Sequence, residues 1–64
     1  MAASMYSSIA VIPEEGMYKV FGYNGNIKVL HQSRSQDECD EWADEYARTH
    51  NMYYDREQEA YYMK

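Results

Sequence analysis

From Ser35 to Asn51 the apolar positions recur at a helical spacing. Cys39, Trp42, Ala43, Tyr46, Ala47 and His50 fall at i, i+3, i+4, i+7, i+8 and i+11, which is one stripe of a 3.6-residue helix. Ser35 followed by Glu38 is a capping box. It predicts that the serine hydroxyl accepts from the Glu38 N–H while the Glu38 carboxylate reaches back to the Ser35 N–H. Asp37, Glu38, Asp40 and Glu41 occupy the first turns and Arg48 and His50 the last, as the helix macrodipole favours. Asn51 can take the left-handed conformation just past the end.

Upstream the pattern changes to alternation. Tyr6 to Ile12 reads as a strand ending at Pro13, which has no N–H for a ladder. Glu14-Glu15-Gly16 then reads as a turn. Met17–Tyr23 and Asn26–Gln32 are two β-prone runs separated by Asn24-Gly25, a signal for a two-residue type I′ hairpin. That loop sets Tyr23 opposite Asn26, Val20 opposite Val29 and Tyr18 opposite His31. Tyr18, Val20, Ile27, Val29 and His31 then share the purer apolar face, which should receive the helix. Lys19, Phe21, Tyr23, Asn26, Lys28 and Leu30 share the other. Ser33-Arg34 links the hairpin to the Ser35 cap.

The tail from Met52 to Lys64 is ambiguous. Asp55 with Gln58 could cap a second helix whose face carries Tyr54, Gln58 and Tyr61. The same tyrosine-rich segment could form an edge strand. The reading favoured here is the short helix. The expected architecture is therefore α+β: a small antiparallel three-stranded β-meander, one amphipathic helix packed on one face, and a short C-terminal helix or edge strand. Residues 1–5 are expected to be a loose terminus, and residues 1–64 a single domain.

Composition narrows the function classes. At 64 residues the chain has room for one small core, marginal unless stapled or oligomeric. Its one cysteine, Cys39, lies on the apolar stripe, which suggests a packed thiol and a reducing compartment. No signal peptide or membrane span is evident, so the expected location is cytoplasmic. The net charge of -5 argues against binding to a phosphate backbone. Six of the eleven acidic residues lie on the Ser35–Asn51 helix. Asp37/Glu41, Asp40/Asp44 and Glu41/Glu45 are like-charge i,i+4 pairs, each unfavourable by roughly 0.2–0.5 kcal/mol.

Candidate chemistry is sparse. His31 and His50 are the general-base candidates near neutral pH, and no nucleophile is set beside either by a motif. Cys39 stands alone as a soft ligand, and Asp37/Glu41 and Asp40/Asp44 lack the histidine partner of helical carboxylate sites. No glycine-rich phosphate loop is present. The chain is therefore read as non-enzymatic, without cofactor or metal.

Two groups stand out as binding residues. One is the acidic helix face of Asp37, Asp40, Glu41, Asp44 and Glu45. The other is an aromatic set of Phe21, Tyr23, Tyr53, Tyr54, Tyr61 and Tyr62, residue types enriched at protein interfaces. The hairpin-then-helix segment from Met17 to His50 resembles the small sheet-and-helix modules at the N-terminus of tyrosine integrases and in related plant DNA-binding domains. Those read DNA with a basic sheet, and here the sheet offers only Lys19 and Lys28. In size, acidity and tyrosine content the chain is also similar to short phage-encoded proteins that bind and inhibit host machinery. The leading expectation is an inhibitor or adaptor that docks on a basic protein surface, and the surplus of aromatics suggests a homodimer. Nucleic-acid mimicry by the carboxylates is the second reading. Single-strand binding by the aromatic sheet face, with Phe21 and Tyr23 beside Lys19 and Lys28, is the third.

Overall fold

In a computed structural model that describes residues 6–64, strands β1 (Ser8–Glu14), β2 (Met17–Tyr23) and β3 (Ile27–Ser33) precede helix α1 (Gln36–Thr49). Strands β4 (Met52–Asp55) and β5 (Ala60–Met63) follow it. The expected loose terminus at residues 1–5 lies outside the described residues. The five strands form one antiparallel sheet in the order β3-β2-β1-β5-β4. The α+β expectation holds, but the sheet has five strands where a three-stranded meander was expected.

Helix α1 forms as its pattern predicts. Ser35 is the N-cap, with its hydroxyl accepting from the Glu38 N–H at 3.3 Å. The reciprocal half of the capping box is replaced. The Ser35 N–H donates to Ser33 Oγ at 3.0 Å, and the Glu38 carboxylate turns to His31. At the other end the His50 N–H donates to the Tyr46 carbonyl, and Asn51 takes φ +60°. Cys39, Ala43 and Ala47 are the buried positions of the stripe. These small side chains let the helix lie close to the sheet, while the larger Trp42 and Tyr46 pack at its margin, half-buried.

The turns are distributed differently from the expectation. Glu15 and Gly16 both have positive φ, +56° and +78°, as a two-residue type I′ turn requires. They join Glu14 to its partner Met17. Strand β1 thus runs through Pro13, where an end was expected. Its β5 side is paired only at Ser8 and Ile9, so further along an absent N–H loses no ladder bond on that edge. Asn24-Gly25 is not a two-residue loop. Tyr23 pairs with Ile27, so Asn24, Gly25 and Asn26 form a three-residue connection. The register therefore starts one position off the expected one, and it shifts again at a bulge between Val20 and Phe21, where Val20 pairs with His31.

The first offset reverses the predicted faces of Ile27 to Val29, and the bulge returns His31 to its predicted helix side. Ile27 and Val29 share the face of Tyr23 and Phe21, away from the helix, and are 71% and 41% exposed. Leu30, expected on the far side, packs on the helix side against the core. A β-bulge opposes two residues to one, so Leu30 and His31 both turn toward α1.

The tail is a hairpin, not a helix. Asp55 Oδ1 accepts from the N–H groups of Glu57 and Gln58 at 2.9 and 3.2 Å, a side-chain turn in place of the expected helix cap. One turn later Glu59 takes φ +55° and the chain reverses. Strand β5 then inserts between β1 and β4, pairing Tyr61 with Ile9 and Tyr62 with Ser8. The core beneath α1 is Ile9, Val20, Cys39, Ala43, Ala47 and Met52. Burying a side chain such as Ile9 or Val20 contributes about 1.5–3 kcal/mol, and the other members are mostly small.

Candidate functional site

The sheet separates two surfaces. On the helix side, Asp37, Asp40, Glu41, Asp44 and Glu45 all face outward and are exposed. Arg48 pairs with Glu45 at 2.7 Å and with Asp44 at 3.6 Å, all three on the helix surface. Among the described residues no ion pair involves Asp37, Asp40 or Glu41. The acidic ridge expected from the sequence is thus in place, with one cation at its C-terminal end.

Along one flank of α1 runs a stack of rings. His31 lies on Trp42 with centroids 5.2 Å apart and planes 7° from parallel. Trp42 stacks on Tyr46 at 5.4 Å, and Tyr46 on His50 at 4.0 Å. The signal for the helical part of this ladder is the spacing 42, 46, 50 in the sequence. His50 Nδ1 donates to the Tyr46 carbonyl at 2.9 Å, so it serves the helix end. His31 Nε2 meets Glu38 Oε2 at 2.9 Å. Hydrogen bonds from Ser33 and His31, with the charge of His31, hold the Glu38 carboxyl below its usual range. Ser33 Oγ accepts from the Ser35 N–H at 3.0 Å, so Ser33 and His31 both lie at the start of α1 beside Glu38.

The aromatic candidates do not form one surface. Alternation along the C-terminal hairpin divides them. Tyr54 and Tyr61 stand on the helix side, edge to face at 5.0 Å. With Asp40, Glu59, Gln36 and Val11 they line a cleft of about 490 Å³. Burial, then the Asp44 and Asp40 carboxylates, push the Tyr61 phenol up. Tyr53 and Tyr62 stand on the opposite face, 6.3 Å apart, with Phe21 and Tyr23.

Among the described residues no helix lies over that opposite face. Ser8, Ala10, Ile12, Phe21, Tyr23 and Ile27 border a shallow groove of about 360 Å³ there. An antiparallel sheet facing water on one side ordinarily alternates apolar-in and polar-out. Here Ile12, Tyr23, Ile27, Val29 and Tyr53 are large and exposed, at 41–71% of their full area. Sequence reasoning missed Ile12, Ile27 and Val29, because the assumed register sent the two β3 residues inward. Of the expected cation neighbours of Phe21 and Tyr23, Lys19 keeps their face and Lys28 does not. Lys28 pairs with Gly22 and so lies on the helix side, while Lys19 is tied to Glu14 at 2.9 Å and Glu15 at 3.8 Å.

Among the described residues no group of three or more His, Cys, Asp or Glu is placed to hold a metal ion. No described helix is long and apolar enough to cross a membrane. Compared with protein-family models, curated proteins and solved structures, the chain matches none.

Proposed function

We propose that this chain is a non-enzymatic protein-binding module, an inhibitor or adaptor that docks the acidic face of α1 on a basic partner and acts as a homodimer. The observation that carries the reading is the ridge itself: five outward carboxylates that, among the described residues, form ion pairs with Arg48 alone. Such a face steers a basic partner toward it and suppresses acidic competitors. Like-charge neighbours weaken an isolated helix, so the ridge is retained at some expense to α1 itself.

The test begins with capture of the partner from native cytosol and proceeds to measured affinity. Asp40→Lys with Asp44→Lys should weaken binding by at least tenfold and leave the circular dichroism spectrum unchanged. Binding should also fall as salt rises. Undiminished affinity in the double variant eliminates the reading.

The same row of carboxylates carries a second reading, mimicry of a nucleic-acid backbone. From Asp37 to Glu45 the carboxylates extend a single-signed row over about 12 Å of α1. In that case DNA or RNA competes with this chain for the partner, and simultaneous binding rules mimicry out.

A further inference from the structure

The uncovered sheet face offers an apolar surface that the acidic ridge does not use. We infer that a second copy of this chain covers it, the two sheets packing face to face about a two-fold axis with the helices outermost. This inference rests on the homodimer named above and assigns its surface.

Three observations select a second copy as the occupant. The first is charge. Of the eleven acidic residues, six lie on α1, and Glu15, Glu57 and Glu59 lie in the two turns. That leaves Glu14 and Asp55 at the borders of the open face, with Glu14 neutralised by Lys19. Two copies of net charge -5 meeting elsewhere would bring carboxylates together. Meeting here, they place the ridges on opposite outer surfaces, separated by two sheets and farther apart than the ~8 Å Debye length.

The second is area. Five strands at about 4.8 Å spacing, each contributing about five residues of about 3.3 Å, give a flat footprint of ~400 Å² per copy. Side chains standing off the pleat expose more than that footprint. The paired face therefore approaches the ~1,200 Å² at which specific interfaces begin. The third is the core, whose fully buried large members are Ile9, Val20 and Cys39. Chains this short commonly need a partner to complete their burial. A two-fold interface is self-complementary, and aligned sheets pack about 10 Å apart.

Sedimentation equilibrium of the full chain should give a mass twice the 7.6 kDa of the monomer. Ile27→Asp should shift it to the monomer mass, a loss of at least tenfold in dimer affinity, because Ile27 is 71% exposed in one copy and the change leaves the single-copy fold intact. Glu41→Lys should leave the dimer unchanged. A mixed sample of labelled and unlabelled wild-type chain supplies a measurement that needs no variant: filtered NOEs should join the Ile27 or Val29 methyls to Tyr23 or Tyr53 of the other copy. A monomer at all concentrations overturns the inference, as does a dimer indifferent to Ile27→Asp or one whose NOEs lie on α1. Partner affinity of the Ile27→Asp chain is read separately. A monomeric variant that still binds through the ridge leaves the proposed function standing, while loss of binding in the Asp40/Asp44 variant, with the dimer intact, leaves this inference standing.

Discussion

The ring of Tyr6 lies over Gly22 so closely that a β-carbon at that glycine would sit 2.7 Å from Tyr6 Cδ1 and 2.8 Å from Leu30 Cδ1. Gly22 is in mid-strand, paired with Ile9 and Lys28, where glycine is ordinarily unfavourable. Its place is explained by the aromatic ring that fills the missing side chain's space, a device known from edge glycines in sheets. Tyr6 in turn contacts Tyr46 of α1 at 6.5 Å.

Gly22→Ala should therefore destabilise the chain by about 1–3 kcal/mol, lowering Tm by about 5–15 °C in a domain of this size. Thermal denaturation followed by circular dichroism measures it. A Gly22→Ala chain as stable as wild type would show that Tyr6 is not seated there. Tyr6→Ala should partly rescue the variant, since the clash is chiefly with that ring.

Acid should act through Glu38. Ser33 and His31 lower its folded pKa from the usual 4.5. Stability from this carboxylate is present above the unfolded value and is lost as pH falls through the lower folded one. Denaturant midpoints measured from pH 6 to pH 3 should fall less steeply for Glu38→Gln than for wild type. Parallel acid limbs in the two proteins would remove the contact from the account.

Cys39 should be inert in the folded chain. It is fully buried, and its Sγ donates to the Tyr18 carbonyl at 3.2 Å. Burial first, then the charges of Glu38 and Asp40, push the thiol up, so the reactive thiolate is scarce. Modification by Ellman's reagent should proceed at the rate of global opening and become fast only in denaturant. Prompt stoichiometric labelling of native protein would contradict the packing described here.

Alkali should act through Tyr46 and Tyr61. Burial raises both phenols above the usual 10.0, with Tyr6 adding to the first and Asp44 and Asp40 to the second. Stability from their neutral forms is complete below the unfolded value and is lost as pH rises through the raised folded values. Phenolate absorbance should keep a component above 10 that Tyr46→Phe and Tyr61→Phe each diminish. Titration curves superimposable on wild type in both variants would refute this.

The helix end offers a conformational test. Asn51 sits at φ +60° just past α1. Asn51→Gly should match or slightly exceed wild-type stability, whereas Asn51→Val should lose about 1 kcal/mol. Equal Tm values for Gly and Val at this position would mean that the left-handed conformation is not held.

Helix α1 and its ridge were legible because every signal for them is local: the stripe, the serine cap, the acidic first turn and Asn51. The outward direction of Asp37, Asp40, Glu41, Asp44 and Glu45 followed from that stripe alone. The sheet was less legible, because register depends on loop length. Asn24-Gly25 invites a two-residue turn, yet Asn26 joins the loop and the true type I′ turn forms at Glu15-Gly16. One position of offset was enough to exchange the faces of Ile27 and Val29. In the tail, the Asp55 side chain does accept from the Gln58 N–H, but it closes a hairpin turn and starts no helix. The vacancy beside β1 that draws Tyr61 and Tyr62 into a strand is created by residues some fifty positions earlier, and no local pattern announces it. Tyr53 and Tyr54, adjacent in the chain, consequently belong to different surfaces.

The ladder between β1 and β5 spans only two residue pairs, Ser8 with Tyr62 and Ile9 with Tyr61. Among the described residues it is the sole strand pairing that joins the β1–β2–β3 meander to the β4–β5 hairpin, and it closes the longest loop between paired strands. Loop closure is the slow, entropically opposed part of assembly. The meander and the hairpin are each paired locally, while the sheet becomes continuous only when this narrow seam shuts. The seam is therefore also where transient opening should begin, and amide exchange at residues 8, 9, 61 and 62 should be faster than at the β1–β2 hairpin.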